Sequence, residues 1–273
     1  MVVFPNAKIN LGLNVTEKRN DGFHNIETVF YPIKLCDILE IVKSQNNKSG
    51  FFNSGMIINC NIDNNLCIKA LNLIKKDFCL PETDIFLYKN IPFGAGLGGG
   101  SSDAASVLTV LNTMFCLDIN DNTLMQYAAE LGSDCAFFLK NTPQLAKGRG
   151  EILTDIDVNL NEYFFVLIKP NIFIDTALAY AGVKPEKPKT GISEIMAMPV
   201  AEWKYFLKND FEETVFERFP QIKAIKETLY SSGAVYASMT GSGSSVYAFF
   251  DRAVDVSDFE KDCFVFTDYF ADK

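Results

Sequence analysis

From residue 6 to residue 15, apolar Ala7, Ile9, Leu11, Leu13 and Val15 alternate with Lys8, Asn10, Gly12 and Asn14. A period of two predicts a half-buried strand with Lys8 and Asn10 sharing its polar face. The string KRNDG at residues 18–22 is a turn signal, its Asp-Gly step supplying the positive φ a hairpin needs; a second strand over 23–31 and a third over 37–42 follow. Residues 44–65, rich in Asn, Ser and Gly, read as surface loops around a hairpin, with a β-like patch at 56–59. Leu66, Ala70, Leu73 and Ile74 stand at helical spacing and predict a helix over 66–78, and 84–91 reads as a strand closed by Pro92.

The pattern then breaks into glycines at 94, 96, 98, 99 and 100, followed by Ala104, Val107, Leu108, Leu111, Met114 and Phe115 at spacings of three and four. This predicts a loop feeding an amphipathic helix, with Ser101, Ser102 and Asp103 as its cap and first-turn residues. A second helix over 122–131 stops at Gly132, and Ser133-Asp134 opens a further segment at 135–139. After Gly150 the composition shifts to Asp155, Asp157 and Glu162 before a strand at 163–168, which marks the expected domain boundary. Residues 183–190, with two prolines and Lys184, Lys187 and Lys189, read as a solvated loop. Pro220 opens a helix carrying Ile222, Ile225 and Leu229 on one face, then come a strand at 234–239, a loop at 240–244 and a strand at 246–250. No internal repeat is visible.

Composition narrows what such a chain can be. At 273 residues, 48% hydrophobic and 22% charged, it is a globular protein long enough to divide into two domains. A net charge of -9 disfavours a partner held by broad phosphate neutralisation, so no nucleic acid is expected, yet a small anion held by local amides remains open. Seven cysteines, an odd number with no C-x-x-C pair, suggest reduced thiols in the cytoplasm rather than disulfides or zinc. The N-terminus lacks a basic-then-apolar leader and the longest apolar run is 163–168, so neither a signal peptide nor a membrane span is expected. His24 is the single histidine, which excludes multi-histidine metal sites.

The glycine loop matches G-x-G-x-x-G, and its physics favours phosphate: glycines turn amides inward and a helix N-terminus adds positive potential. It is not a Walker A loop, since no lysine follows Gly100; no H-R-D or D-F-G string accompanies it; and Asp118 and Asp121, near the distance of a dinucleotide-binding acid, precede a helix instead of ending a strand.

The string PFGAGLGGGSSDAA at 92–105 resembles the glycine loop of the GHMP kinases. NAKINL at 6–11 with DGFH at 21–24, LGSD at 131–134 and TGSG at 240–243 agree in order, and the first two are similar to the branch acting on 4-diphosphocytidyl-2-C-methyl-D-erythritol. The resemblance implies an α+β fold of two domains: residues 1–155, an ATP-binding domain like ribosomal protein S5 domain 2, and residues 156–273, a ferredoxin-like α/β domain, with the active site in the cleft between them. It implies transfer of the ATP γ-phosphoryl group, with Mg2+, to the 2-hydroxyl of that small-molecule substrate, a step of the non-mevalonate route to isoprenoid precursors. By the same resemblance, Pro92, Phe93, Gly94, Ala95, Gly96, Leu97, Gly98, Gly99, Gly100, Ser101 and Ser102 would cradle the ATP phosphates, with Ser101 or Ser102 as a possible metal ligand. Asp134 would accept the hydroxyl proton and Lys8 would stabilise developing charge. Phe23, where a tyrosine is usual, and Tyr180 would sandwich the cytosine beside His24, Asn10 and Thr176 would contact substrate, and Thr240, Gly241, Ser242 and Gly243 would close near the phosphates.

On the residues alone, other readings stay open. Without the resemblance Asp134 reads sooner as a helix N-cap and His24 sooner as a turn-edge histidine, while Lys8 can be a plain strand residue and 240–243 hairpin composition. A superfamily kinase without cytidine recognition, a nucleotide-binding module without turnover and a dinucleotide oxidoreductase are the competing functions.

Overall fold

The computed structural model describes residues 1–46, 48–56 and 64–270. Its strands are β1 (Val2–Val3), β2 (Asn6–Lys18), β3 (His24–Cys36), β4 (Ile38–Lys43), β5 (Gly50–Gly55), β6 (Thr83–Lys89), β7 (Gln144–Lys147), β8 (Ile152–Asp155), β9 (Phe164–Pro170), β10 (Tyr236–Met239), β11 (Val246–Phe250) and β12 (Cys263–Tyr269). Its helices are α1 (Leu66–Asp77), α2 (Gly99–Met114), α3 (Asp121–Leu131), α4 (Cys135–Lys140), α5 (Thr176–Ala181), α6 (Ile192–Met196), α7 (Val200–Phe206), α8 (Phe211–Arg218) and α9 (Pro220–Ser231). The β-like patch expected at 56–59 lies, after Met56, outside the described residues.

Two compact units interleave along the chain. The first comprises Met1–Ala7, Leu35–Phe93 and Gly98–Thr142; the second comprises Lys8–Lys34, Gly94–Leu97 and the chain from Pro143 onward. This division differs from a consecutive one at residue 155. The physical reason is that β2, one strand of the sheet β2-β3-β7-β8, is tied to chain beyond residue 155: Leu13 N–H donates to Lys208 O (2.8 Å) and Val15 N–H to Asp210 Oδ2 (2.7 Å), so the N-terminal hairpin belongs with the later residues.

In the first unit the sheet runs β1-β4-β6-β5, with β5 parallel to β6 and the other pairs antiparallel. Alternation gives β6 an inner face of Ile85, Leu87 and Lys89 and an outer face of Phe86 and Tyr88. Helix α1 packs on α2, which packs on α4. Each fully buried Leu or Ile here contributes roughly 1.5–3 kcal/mol relative to exposure.

In the second unit β9, β10, β11 and β12 form an antiparallel sheet in the order β10-β11-β9-β12. Counting from β9, that is the order 2-3-1-4 of a ferredoxin-like split β-α-β arrangement. One face packs Val166, Ile168, Ala248 and Met239 against Ala179 of α5, Val215 of α8 and Ile222, Ile225 and Leu229 of α9. The other carries Phe165, Tyr236, Tyr247 and Phe249 with Trp203 of α7. Both faces are covered, which is why β9 reads as a continuous apolar run instead of an alternating one.

The expected helices at 66–78 and 122–131 and the helix opened by Pro220 form within a residue or so at either end. Strand β2 departs from expectation, because it is buried on both faces: Lys8 is 4% and Asn10 2% exposed. No helix among the described residues is long and apolar enough to cross a membrane. The six described cysteines are all free thiols.

Candidate active site

In the second unit, residues 94–97 of the glycine loop, the start of β2 and the turn at 240–243 meet in one polar network. The Lys8 ammonium donates to Asn10 Oδ1 (2.7 Å) and Gly96 O (3.3 Å), with its charge 4.8 Å from the centre of the Phe30 ring. Asn10 is held on every side: its backbone N–H donates to Thr240 Oγ1 (2.9 Å), its Nδ2 to Thr28 Oγ1 (3.0 Å), and its carbonyl accepts from the Tyr247 hydroxyl (2.9 Å). The Thr240 hydroxyl shares its proton between Gly96 O (3.2 Å) and Asn10 Oδ1 (3.3 Å). A buried lysine survives in such a place because hydrogen bonds and a ring face replace its water. Asn10 therefore acts first as the strut of Lys8.

Asn209, which the sequence reading missed, donates to Met239 O (2.8 Å) and Gly241 O (2.9 Å) and so fixes the 240–243 turn. Thr28 and Tyr247 were missed as well; a polar residue inside an apolar strand face is the only sequence signal they leave. Thr176, exposed at the start of α5, lies 3.2 Å from Ser242 Oγ, so the structure does bring Thr176 to that turn.

The loop itself alternates in the sign of φ: Gly94 (+61°), Gly96 (+74°) and Gly98 (+70°) are positive while the residues between are not. That alternation turns successive amides to one side, the geometry of an anion nest. A Cβ at Gly96 would stand 2.2 Å from Thr240 O, a contact with backbone that cannot move aside. We expect Gly96→Ala to cost about 3 kcal/mol through positive-φ strain and this clash, and to weaken ATP binding in parallel; a chemical-denaturation midpoint unchanged from wild type would contradict this.

Helix α2 opens earlier than expected. Its N-cap is Gly98, in the left-handed region with no side-chain cap, so Ser101 falls in the first turn and Asp103 beyond it. Glycine provides the turn and leaves the first amides bare, which makes a serine cap unnecessary. Asp103 is instead buried, accepting from Lys89 Nζ (2.7 Å), and the same ammonium pairs with buried Asp37. Asp37 also accepts the N–H groups of Asn90 (2.6 Å) and Ile91 (2.8 Å), just before Pro92. Burial pulls the Lys89 pKa down, but Asp103 and Asp37 outweigh it and hold it above its usual value; burial pushes the Asp103 carboxyl up. The signal for this triad lay in the alternation of β6, which puts a lysine on the face of Ile85 and Leu87.

Asp134 occupies the position before α4, half-buried, and its carboxylate makes no capping hydrogen bond. Next to it, the buried Cys135 thiol is pushed up to about 11, chiefly by burial, with Ser101 as a hydrogen-bond partner. No three His, Cys, Asp or Glu side chains cluster as metal ligands among the described residues. The side-chain oxygens nearest the opening of α2 are the hydroxyls of Ser101, half-buried, and Ser102, buried.

At the hairpin, His24 stacks on Tyr180 with ring centres 4.8 Å apart and planes at 17°, and Tyr180 is braced edge-on by Phe211. Tyr180 thus faces His24. Phe23, 49% exposed, carries the Arg149 guanidinium 3.8 Å from its ring centre. Burial, followed by the charge of Lys18, lowers the His24 pKa from its ordinary value, which favours the neutral imidazole.

A glycine loop of alternating φ feeding a helix, a buried lysine and a ring stack fit a small-molecule phosphotransferase of the α+β kind. Residues 65–141 match the family model for the GHMP kinases N terminal domain and residues 198–261 that for the GHMP kinases C terminal domain. A 4-diphosphocytidyl-2-C-methyl-D-erythritol kinase of Bacteroides fragilis is 51% identical over 264 residues, covering 95% of this chain and 96% of the relative. One from Parabacteroides distasonis is 48% identical over 267 residues, covering 97% and 98%. A crystal structure of 4-(cytidine 5'-diphospho)-2C-methyl-D-erythritol kinase superposes with TM-score 0.83 at 29% identity over 98% of each chain. The Methanococcus jannaschii mevalonate kinase shares the fold at TM-score 0.69 and 14% identity. The chain belongs to the GHMP kinases, and within them to the family of 4-diphosphocytidyl-2-C-methyl-D-erythritol kinases.

Proposed function

We propose that this chain transfers the γ-phosphoryl group of ATP to the 2-hydroxyl of 4-diphosphocytidyl-2-C-methyl-D-erythritol, in the cytoplasm, on the non-mevalonate route to isoprenoid precursors. What carries the reading is a glycine nest opening α2 together with the His24–Tyr180 stack, in a chain half identical to kinases of that name. In sequence terms, 1–155 is the ATP-binding domain and 156–273 the C-terminal one, each containing its matched segment.

Phosphoryl transfer is mostly positioning and charge stabilisation. Amides of residues 92–102 hold the nucleotide phosphates. Ser101 or Ser102 would offer a hydroxyl to Mg2+ arriving with the nucleotide, and the ion would supply neutralisation of phosphate charge. Asp134 accepts the proton of the substrate hydroxyl, and the Lys8 charge, fixed in place by Asn10, stabilises charge that develops during transfer. Phe23, His24 and Tyr180 recognise the cytosine by stacking and by the edge of a neutral imidazole, with Asn10 and Thr176 toward the rest of the substrate. Thr240, Gly241, Ser242 and Gly243 stand near the transferred phosphate.

The product tests it: after turnover, phosphorus NMR should show one new phosphomonoester on the substrate, coupled to the 2-position. A phosphate found elsewhere, or none, would sink the assignment. The imidazole adds a pH dependence. Because its pKa is lowered, the imidazole gains its proton only at more acid pH, and KM for the cytidine substrate should rise as pH falls through that transition. His24→Gln should abolish the acid limb, and a limb that persists in the variant would assign it to another group.

A further inference from the structure

Two exposed turns of the second unit lie side by side, and their contacts converge on Phe23. In the hairpin turn, Phe23 N–H donates to Asp21 Oδ1 (3.1 Å), Arg19 N–H donates to Phe23 O (2.8 Å), and Arg19 Nη2 stands 2.9 Å from Asp21 Oδ2. These bonds fix the backbone of residue 23 and leave its ring to rotate. In the turn between β7 and β8, Arg149 N–H donates to Glu151 Oε2 (2.5 Å) and Gly150 N–H to Lys147 O (3.1 Å). Gly148 and Gly150 have φ of +70° and +112°, and a Cβ at Gly148 would meet the Glu151 carboxylate at 2.9 Å. The two turns are tied by Ile26 N–H donating to Gly148 O (2.7 Å), two residues from His24. From this anchored turn the Arg149 guanidinium reaches one face of Phe23, 3.8 Å from the ring centre.

A phenyl ring has two faces. With Arg149 on one and half the residue still exposed, the ring is held as a platform with its other face outward. We propose that Arg149 is a positioning residue for nucleobase recognition: it sets the orientation of Phe23, and so the affinity for the cytidine part of the substrate, without itself contacting the base. This rests on the cytidine reading above. Guanidinium is suited to the task because it is planar, stacks on aromatic rings and stays charged at all working pH values.

The test is a double-mutant cycle with CDP as the probe, its Kd measured calorimetrically for wild type, Phe23→Leu, Arg149→Gln and the double variant, with ATP binding as the control. An exposed cation–π contact corresponds to roughly a two- to fivefold effect. Arg149→Gln should therefore weaken CDP about threefold, raise KM for the full substrate more than it lowers kcat and leave ATP affinity alone, while Arg149→Lys recovers part of the loss. In the Phe23→Leu background, Arg149→Gln should add nothing, since its effect passes through the ring. Equal losses in both backgrounds would mean that Arg149 touches the ligand directly and would overturn the positioning role. So would a Phe23→Leu defect with no Arg149→Gln defect. If the wild-type protein binds ATP but not CDP, the cytidine reading itself has failed.

Discussion

Lys89→Met should be the most destabilising single change in the first unit, costing about 4 kcal/mol and lowering the melting midpoint by roughly 10 °C. Methionine matches the lysine stem in volume, so the loss is electrostatic. Lys89 Nζ is the cation between Asp37 and Asp103, all three side chains being 3% exposed or less. Without it two carboxylates are left buried among Ile91, Cys67 and the start of α2. Calorimetry of the variant checks the expectation; a midpoint within 2 °C or so of wild type would show that the triad carries little stability. Asp103→Asn should behave differently and cost under ~1 kcal/mol, because Asp103 Oδ1 already lacks a partner and two carboxylates share one ammonium. The pH dependence follows in sign. A carboxyl whose folded pKa is raised contributes stability that is complete below its ordinary value of 3.8 and is lost as pH rises through the elevated one. Asp103→Asn removes that loss, so the gap between variant and wild type should narrow as pH rises.

Asp134→Asn should lower kcat about a thousandfold, within the span that general-base catalysis supplies, while ATP affinity stays within about twofold. Asparagine keeps the shape and removes the proton acceptor. The carboxylate makes no cap bond to α4, so no helix cap is lost in the variant, and its melting midpoint measured beside kcat separates a kinetic from a folding effect. A kcat reduced less than tenfold, in variant protein with a wild-type melting midpoint, would assign the proton to another group.

Much of this was legible in the chain. Period two in 6–15, helical spacing after Gly98 and the proline at 220 each produced the element they predicted, because one local pattern agreed with the packing around it. Three features were not legible. The serine cap failed because Gly98 in the left-handed region opens α2 without one. The polar face of β2 was not a solvent face, since Lys8 and Asn10 satisfy each other and Thr240 from far along the sequence, and no local pattern encodes a partner 230 residues away. The short helices α5–α8 span five to eight residues each, too few turns to show a period. The glycine loop was readable because its physics is local; the partners of Lys89, in Asp37 and Asp103, and of Asn209, at the 240–243 turn, were not, because theirs is tertiary.

The central claim is the reaction, and ADP release measured with Mg2+ in the presence and absence of 4-diphosphocytidyl-2-C-methyl-D-erythritol tests it most directly. Release that depends on that substrate in wild type, and collapses in Asp134→Asn, is the expected result. ADP release indifferent to the substrate, from folded protein that binds ATP, would contradict the account.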